Sequence, residues 1–179
     1  MKVSLVLIAA HAAQAAVSYL ASVPESLMAK VASSGCTLPA EYQILNFKAQ
    51  SPDGGKTFDF IDFGFNDKDT AISTHCYLNA TSVPVPGDGR ADRYPCEDER
   101  VQFIWKSGSI TAVEKACPGV DGKEQYEAAG TAIVAINCDG AANATTGRSR
   151  RTRRANVGCK STSDIIQARF FSLQPVPGG

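Results

Sequence analysis

From Cys36 onward, apolar and polar residues alternate with the two-residue period of half-buried strands. Tyr42, Ile44 and Asn46 alternate with Gln43, Leu45 and Phe47, and Ser51-Pro52-Asp53-Gly54-Gly55 then turns the chain. Phe58 and Phe60 share one parity, while Ile61, Phe63 and Phe65 continue on the other. Such a switch within one strand region predicts a β-bulge near Ile61. Asn66-Asp67-Lys68-Asp69 makes the next turn, after which Ile72, Thr74, Cys76 and Leu78 line one face. A loop rich in Pro, Gly and Asp covers residues 82–95. Val101, Phe103 and Trp105 share a face, Ser107-Gly108 makes a hairpin turn, and the chain returns from Ile110 to Cys117. Tyr126–Cys138 and Ile165–Leu173 are further strand candidates. Seven or eight short strands between turn clusters predict an all-β fold, a compact antiparallel β-barrel or sandwich.

The N-terminal segment reads differently. Lys2, the apolar run Val3 to Ala10 and the small residues Ala12, Ala13, Ala15 and Ala16 follow the order of a secretory signal peptide. Ala13-Gln14-Ala15 places cleavage at about residue 15 or 16. The run is too short for a transmembrane helix, which needs about 20 apolar residues. Ser22-Val23-Pro24-Glu25 starts a short helix carrying Leu27, Met28 and Val31, ended by Ser33-Ser34-Gly35. The organisation expected is a leader over 1–16, a peripheral helix or pro-segment over 17–35, one domain over 36–174 and a tail over 175–179.

Six cysteines follow the leader: Cys36, Cys76, Cys96, Cys117, Cys138 and Cys159. An even number in an exported chain reads as a disulfide framework, although six cysteines allow fifteen pairings and the residues alone select none. Each bond closing a loop of about 20 residues contributes ~3 kcal/mol in the chain-entropy picture. No C-x-x-C pair exists and His75 is the one histidine beyond the leader, so a structural zinc site is not expected.

Formal charge is zero, which leaves no global field to draw nucleic acid or an anionic membrane. The distribution is uneven: five arginines fall within Arg148–Arg154, and the other thirteen basic residues face eighteen acidic ones. That segment reads as a solvated loop, as a dibasic cut site after Arg151 or Arg154, or as a polyanion-binding patch. Asn79-Ala80-Thr81 and Asn143-Ala144-Thr145 are glycosylation sequons.

Catalytic signatures are sparse. A serine–histidine–aspartate arrangement needs a histidine free to take a proton. Alternation puts His75 on the face opposite Ile72, Cys76 and Leu78, toward solvent, so no catalytic residue is expected there. Carboxylates occur at Asp59, Asp62, Asp67, Asp69, Asp92, Glu97, Asp98 and Glu99. Glycoside hydrolysis needs two of them facing each other at ~5 to 10 Å across a cleft, which a sequence cannot display. No calcium loop, phosphate cradle or dinucleotide fingerprint is present, and no cofactor or metal is expected.

The segments Cys36-Thr37-Leu38-Pro39-Ala40-Glu41-Tyr42-Gln43-Ile44, Phe63-Gly64-Phe65, Thr74-His75-Cys76, Tyr94-Pro95-Cys96, Val101-Gln102-Phe103-Ile104-Trp105 and Glu114-Lys115-Ala116-Cys117-Pro118 resemble the Alternaria major-allergen-like family. Its members are fungal secreted β-barrel proteins, some described as effectors or elicitors of the plant hypersensitive response. The resemblance spans about residues 36 to 174 and carries no catalytic signature. It implies bridges Cys76–Cys96 and Cys138–Cys159. Cys36, which in the allergen joins two subunits, has Cys117 as an internal partner here, so a covalent homodimer is open. The function it implies is a secreted, non-enzymatic virulence or defence-eliciting protein binding a host extracellular protein or cell-surface component. A carboxylate-based hydrolase and a cell-wall-associated structural protein are the alternatives. The arginine segment is longer than the family's corresponding loop.

Overall fold

The structure is a computed structural model that describes residues 23, 25–85, 91–139 and 156–176. Among the described residues one helix, α1 (Glu25–Ser34), precedes eleven strands: β1 (Glu41–Ser51), β2 (Phe60–Asp67), β3 (Ile72–Leu78), β4 (Tyr94–Pro95), β5 (Val101–Lys106), β6 (Ser109–Pro118), β7 (Glu124–Ile133), β8 (Ile136–Cys138), β9 (Val157–Ser161), β10 (Ile165–Arg169) and β11 (Ser172–Pro175). Glu25 sits in the first turn of α1, where the helix dipole favours an acid, and Gly35 at φ +65° ends it. The helix docks on the domain through one edge. Val31 is buried, and Leu27 and Val23 pack against the same core.

The strands form two antiparallel sheets. The six-stranded sheet runs β3-β2-β1-β9-β8, with β10 also paired to β1, and the five-stranded sheet runs β11-β7-β6-β5-β4. The two do not close into a barrel; the architecture is a sandwich. The long β1 organises the first sheet. Its N-terminal half pairs with β10 (Glu41↔Arg169 to Leu45↔Ile165) and its C-terminal half with β9 (Lys48↔Lys160 to Ser51↔Val157). Between the halves, Asn46 takes φ +52° and the register to β2 shifts between Leu45 and Lys48. The bulge therefore lies in β1, where burial passes from Tyr42 and Ile44 to Phe47 and Ala49, and not near Ile61. Strand β2 starts at Phe60, so Phe58 precedes it; the Phe58 ring stands edge-on to Trp105 at 5.6 Å.

Two expected strands each split in a way that changes sheets. Tyr126–Cys138 divides into β7, in the five-stranded sheet, and β8, in the six-stranded one. Ile165–Leu173 divides into β10 and β11, again one in each sheet. Strand β9, which carries only one large apolar residue (Val157), has no strong period-two signal. At the Ser107-Gly108 hairpin both residues have positive φ, +50° and +78°, as a tight turn matched to strand twist requires. The turn after β1 is tied by Asp53, whose carboxylate accepts the N–H groups of Lys56 (3.0 Å) and Thr57 (2.8 Å) and the Thr57 hydroxyl (2.8 Å). Donation by the Thr57 N–H leads the effects that hold this carboxyl down at about 2.

The core lies between the sheets. Aromatics of the six-stranded sheet meet those of the other across the gap: Phe63 edge-on to Phe103 at 5.0 Å, and Phe47 stacked on Trp105 at 5.5 Å. Tyr42 stacks on Phe65 at 5.5 Å and leans on Phe170 at 4.8 Å. Opposite these rings the five-stranded sheet supplies Ala112, Ala116, Ala128 and Ala132, so large side chains on one face fit small ones on the other. Each fully buried ring contributes roughly 1.5–3 kcal/mol from area alone.

At one margin of the sandwich β10 crosses close over β7. Phe171 N–H donates to the Ala129 carbonyl at 2.9 Å. Gly130 lies beneath this crossing; a methyl group there would collide with the Arg169 carbonyl and come within 2.9 Å of Tyr42 Cε1. Gly130→Ala is therefore expected to lower stability by about 1–3 kcal/mol in urea unfolding, through forced displacement of backbone. Gly158→Ala, in β9 with nothing within 4 Å of the added carbon, serves as the control and should stay within about 0.5 kcal/mol.

Candidate binding face

The three disulfides fall at distinct places. Cys138–Cys159 joins directly opposed residues of β8 and β9, within one sheet. Cys36–Cys117 ties the segment after α1 to the end of β6. Cys76–Cys96 joins β3 of one sheet to the residue after β4 of the other, across a margin that also carries a 2.9 Å hydrogen bond from Glu97 N–H to the His75 carbonyl. No described cysteine is free.

The outer surfaces of the two sheets differ. On the five-stranded sheet the outward residues Gln102, Val113 and Glu127 are nonetheless buried, at 4%, 2% and 4% exposure. Arg93 reaches Glu127 there, with Nη1 donating to Oε2 at 3.0 Å, and Gln174 Nε2 donates to the same oxygen at 3.3 Å. On the six-stranded sheet Lys48, Lys160 and Tyr77 are exposed on the outward face, and Leu45, Asp62 and His75 are half-buried beside them. Register places Lys160, Lys48, Asp62 and Tyr77 in one row across β9, β1, β2 and β3. The row beside it reads Ile165, Leu45, Gly64 and His75 across β10, β1, β2 and β3. Gly64 has no side chain, so the sheet is low there, between Leu45 and His75. A shallow depression of about 370 Å³ opens beside the lysines, lined by Lys48, Gln50, Asp139, Lys160, Ser161 and Asp164 among others. Lysines directly opposed across an antiparallel ladder repel each other. Neither makes an ion pair with a described residue, and Asp62 beside Lys48 pairs with His75.

His75 lies on the outward face, as alternation predicts, with 42% side-chain exposure. Its Nε2 is 3.1 Å from Asp62 Oδ2 and its Nδ1 is 3.6 Å from Glu97 Oε1. The Tyr77 ring is 6.2 Å away. A nucleophile–histidine–carboxylate relay needs one ring nitrogen on the nucleophile and the other on the acid. Here Nε2 is bonded to Asp62 while Nδ1 faces the exposed Glu97 at 3.6 Å, beyond hydrogen-bond reach, and among the described residues no hydroxyl is bonded to either ring nitrogen.

The remaining sequence-selected carboxylates scatter. Asp59 accepts from Asn156 Nδ2 at 3.1 Å, and Asp92 and Glu99 are exposed. Asp98 pairs with Arg100, whose guanidinium donates to it and holds its carboxyl below the usual range. Asp67 alone is sealed, at 1% exposure, on the inward face of β2. Its neighbour across the gap is Glu114 of β6, 0% exposed, which sequence reasoning missed. The signal was present: Glu114 shares parity with Ile110, Ala112 and Ala116, all buried. A hydrolase needs its acids in an open cleft; this pair is closed off between the sheets.

Asn79 lies half-buried just after β3, and its side-chain oxygen accepts from Thr81 N–H at 2.8 Å and Thr81 Oγ1 at 2.7 Å. The leader, Asn143, Arg151 and Arg154 lie outside the described residues. Among the described residues no group of three or more His, Cys, Asp or Glu side chains could hold a metal ion, and no helix is long and apolar enough to cross a membrane.

No protein-family model matches the chain, and no curated protein matches it. Among solved structures it is similar to the major allergen Alt a 1 of Alternaria alternata, at 15% identity and a TM-score of 0.47, over 78% of this chain and 96% of that one.

Because both partners are partly exposed, the His75–Asp62 contact adds little to folding. His75→Gln and Asp62→Asn are each expected to change unfolding free energy by less than about 1 kcal/mol in denaturant titrations.

Proposed function

We propose that the chain is an exported, non-enzymatic binding protein of the effector or allergen-like type, acting on a host extracellular protein or cell-surface component through the outer face of its six-stranded sheet. The observation that carries this reading is the contrast between the two outer surfaces. One is filled in by Arg93, Gln174 and their neighbours around Glu127, while the other leaves Lys48, Lys160 and Tyr77 exposed, with His75 half-buried beside them. The acid–base groups support it too: the Asp62-bonded His75 and the sealed Asp67–Glu114 pair offer no open site for proton transfer to a substrate. Three disulfides among the described residues fit an oxidising compartment. The sequon at Asn79, whose acceptor amide stands in a surface turn, fits the same route and is proposed as a glycan site. The fungal and virulence-related parts of the reading rest on the cysteine and aromatic segments described above.

The test is affinity capture from plant extracellular fluid by the oxidised protein, beside a variant carrying Lys48→Glu, Lys160→Glu and Tyr77→Ser. A partner retained by the native chain and lost by the variant is the expected result. Equal capture by both, or none by either, would contradict the assignment.

A further inference from the structure

Among the described residues, Asp67 Oδ2, Thr70 Oγ1 and both Oε1 and Oε2 of Glu114 are buried in the sandwich without a well-formed hydrogen bond, and the Thr70 and Asp67 side chains are the polar neighbours of the Glu114 carboxyl. The Tyr42 hydroxyl is the other such atom among them, with the Ala112 backbone as its polar neighbour. Asp67 closes β2 on the six-stranded sheet, Thr70 follows in the turn to β3, and Glu114 stands in the middle of β6 on the five-stranded sheet. Glu114 has Val101 and Ala128 as its direct strand partners and Ala112 and Ala116 as its same-face neighbours, so nothing on its own sheet neutralises it. Two ionised carboxylates facing each other without water would be strongly unfavourable.

One proton removes the difficulty. Placed on Glu114, it is donated to Asp67 Oδ2, and the Thr70 hydroxyl donates to the other Glu114 oxygen. The Thr70 bond is available in either state of the acid; the added proton supplies the bond between Glu114 and Asp67 and removes one of two facing charges. The other oxygen of Asp67 is already occupied, accepting the N–H groups of Asp69 at 2.6 Å and Thr70 at 3.3 Å, which fixes the carboxyl at the turn.

We propose that Asp67 and Glu114 share a single proton and form a latch between the two sheets, closed in mildly acidic surroundings and weakened when that proton is lost.

Burial is the first cause that raises the Glu114 carboxyl, to about 8, and the nearby Asp67 charge is the second. Asp67 is raised as well, by burial first and by the Asp69 charge in addition. The charged groups around the pair are Asp69 on the turn side and Arg100, whose charge favours ionised Glu114 from the loop before β5. Arg100 is itself committed to Asp98 by a direct ion pair, and Glu124 also acts on it. The sign follows. Glu114 is raised in the folded chain, so between its ordinary value of 4.5 and about 8 the folded state keeps a proton that the unfolded state has released. Stability is then greatest in mild acid and falls as pH rises through that window, by up to about tenfold in the folding equilibrium per pH unit. Above about 8 this contribution no longer changes.

The decisive comparison is denaturant unfolding of the full chain at pH 5 and pH 8, native against Glu114→Gln. The amide can donate to Asp67 and accept from Thr70 without titrating. The native folding equilibrium should weaken by about a hundredfold or more between the two pH values, and the variant should lose at least tenfold less. Parallel pH profiles overturn the proposal. So does stabilisation by calcium at pH 8 that EDTA reverses, because a cation would then bridge the carboxylates. Should Glu114→Gln not fold, carbon-13 NMR of the native side chains decides instead. A Glu114 carboxyl that stays protonated at pH 6, while exposed glutamates are ionised, supports the latch, and one that titrates with them refutes it.

Discussion

The two sheets share no continuous ladder of hydrogen bonds, so holding them face to face falls to side chains, to the short chain crossings from β7 to β8 and from β10 to β11, to backbone hydrogen bonds at the margins and to one disulfide. Cys76–Cys96 is that link, the one disulfide joining a strand of the first sheet to the margin of the second. Inside it, the Phe63–Phe103 and Phe47–Trp105 contacts fill the gap, with alanines opposite the rings. At the far margin, the β10–β7 crossing over Gly130 does the same job through backbone proximity. A sandwich pinned at both margins keeps its strands in fixed register, and this register sets the row Lys160–Lys48–Asp62–Tyr77 on the outside.

This construction leaves chemistry in two very different environments. On the open face, charges are water-exposed and either mutually paired, as at His75, or without an ion-pair partner among the described residues, as at Lys48 and Lys160; screening keeps their contribution to folding small. In the interior the same residue types act on stability, because a carboxyl at 0% exposure either holds a proton or disrupts its surroundings. The fold therefore separates the open surface on which the proposed recognition rests from a buried carboxyl pair between the sheets.

Much of this was legible in the chain. Period-two alternation placed Ile72, Cys76 and Leu78 inward and His75 outward, and the Ser107-Gly108 turn was correctly located. Parity was informative even where its first interpretation failed. The switch around Phe60 and Ile61 marks the start of a strand, whereas the bulge is announced by the passage from Ile44 to Phe47. The changes of sheet within Tyr126–Cys138 and Ile165–Leu173 were not legible, because a strand that crosses to the other sheet keeps the same local pattern. Strand β9 was missed for a related reason: it is held by pairing with β1 and by Cys159, with little apolar content of its own. Glu114 was overlooked as an acid among acids, although its position among Ile110, Ala112 and Ala116 marked it as buried. The open face itself could not be read, since Lys48 and Lys160 lie far apart in sequence and meet only through long-range pairing.

The most direct measurement is mass spectrometry of peptides cut from the native protein without reduction. The account predicts a cross-linked pair joining the Cys76 peptide to the Cys96 peptide, alongside Cys36–Cys117 and Cys138–Cys159. Free thiol at Cys76, or its linkage to any other cysteine, would contradict the two-sheet clamp on which the open face and the interior latch both depend.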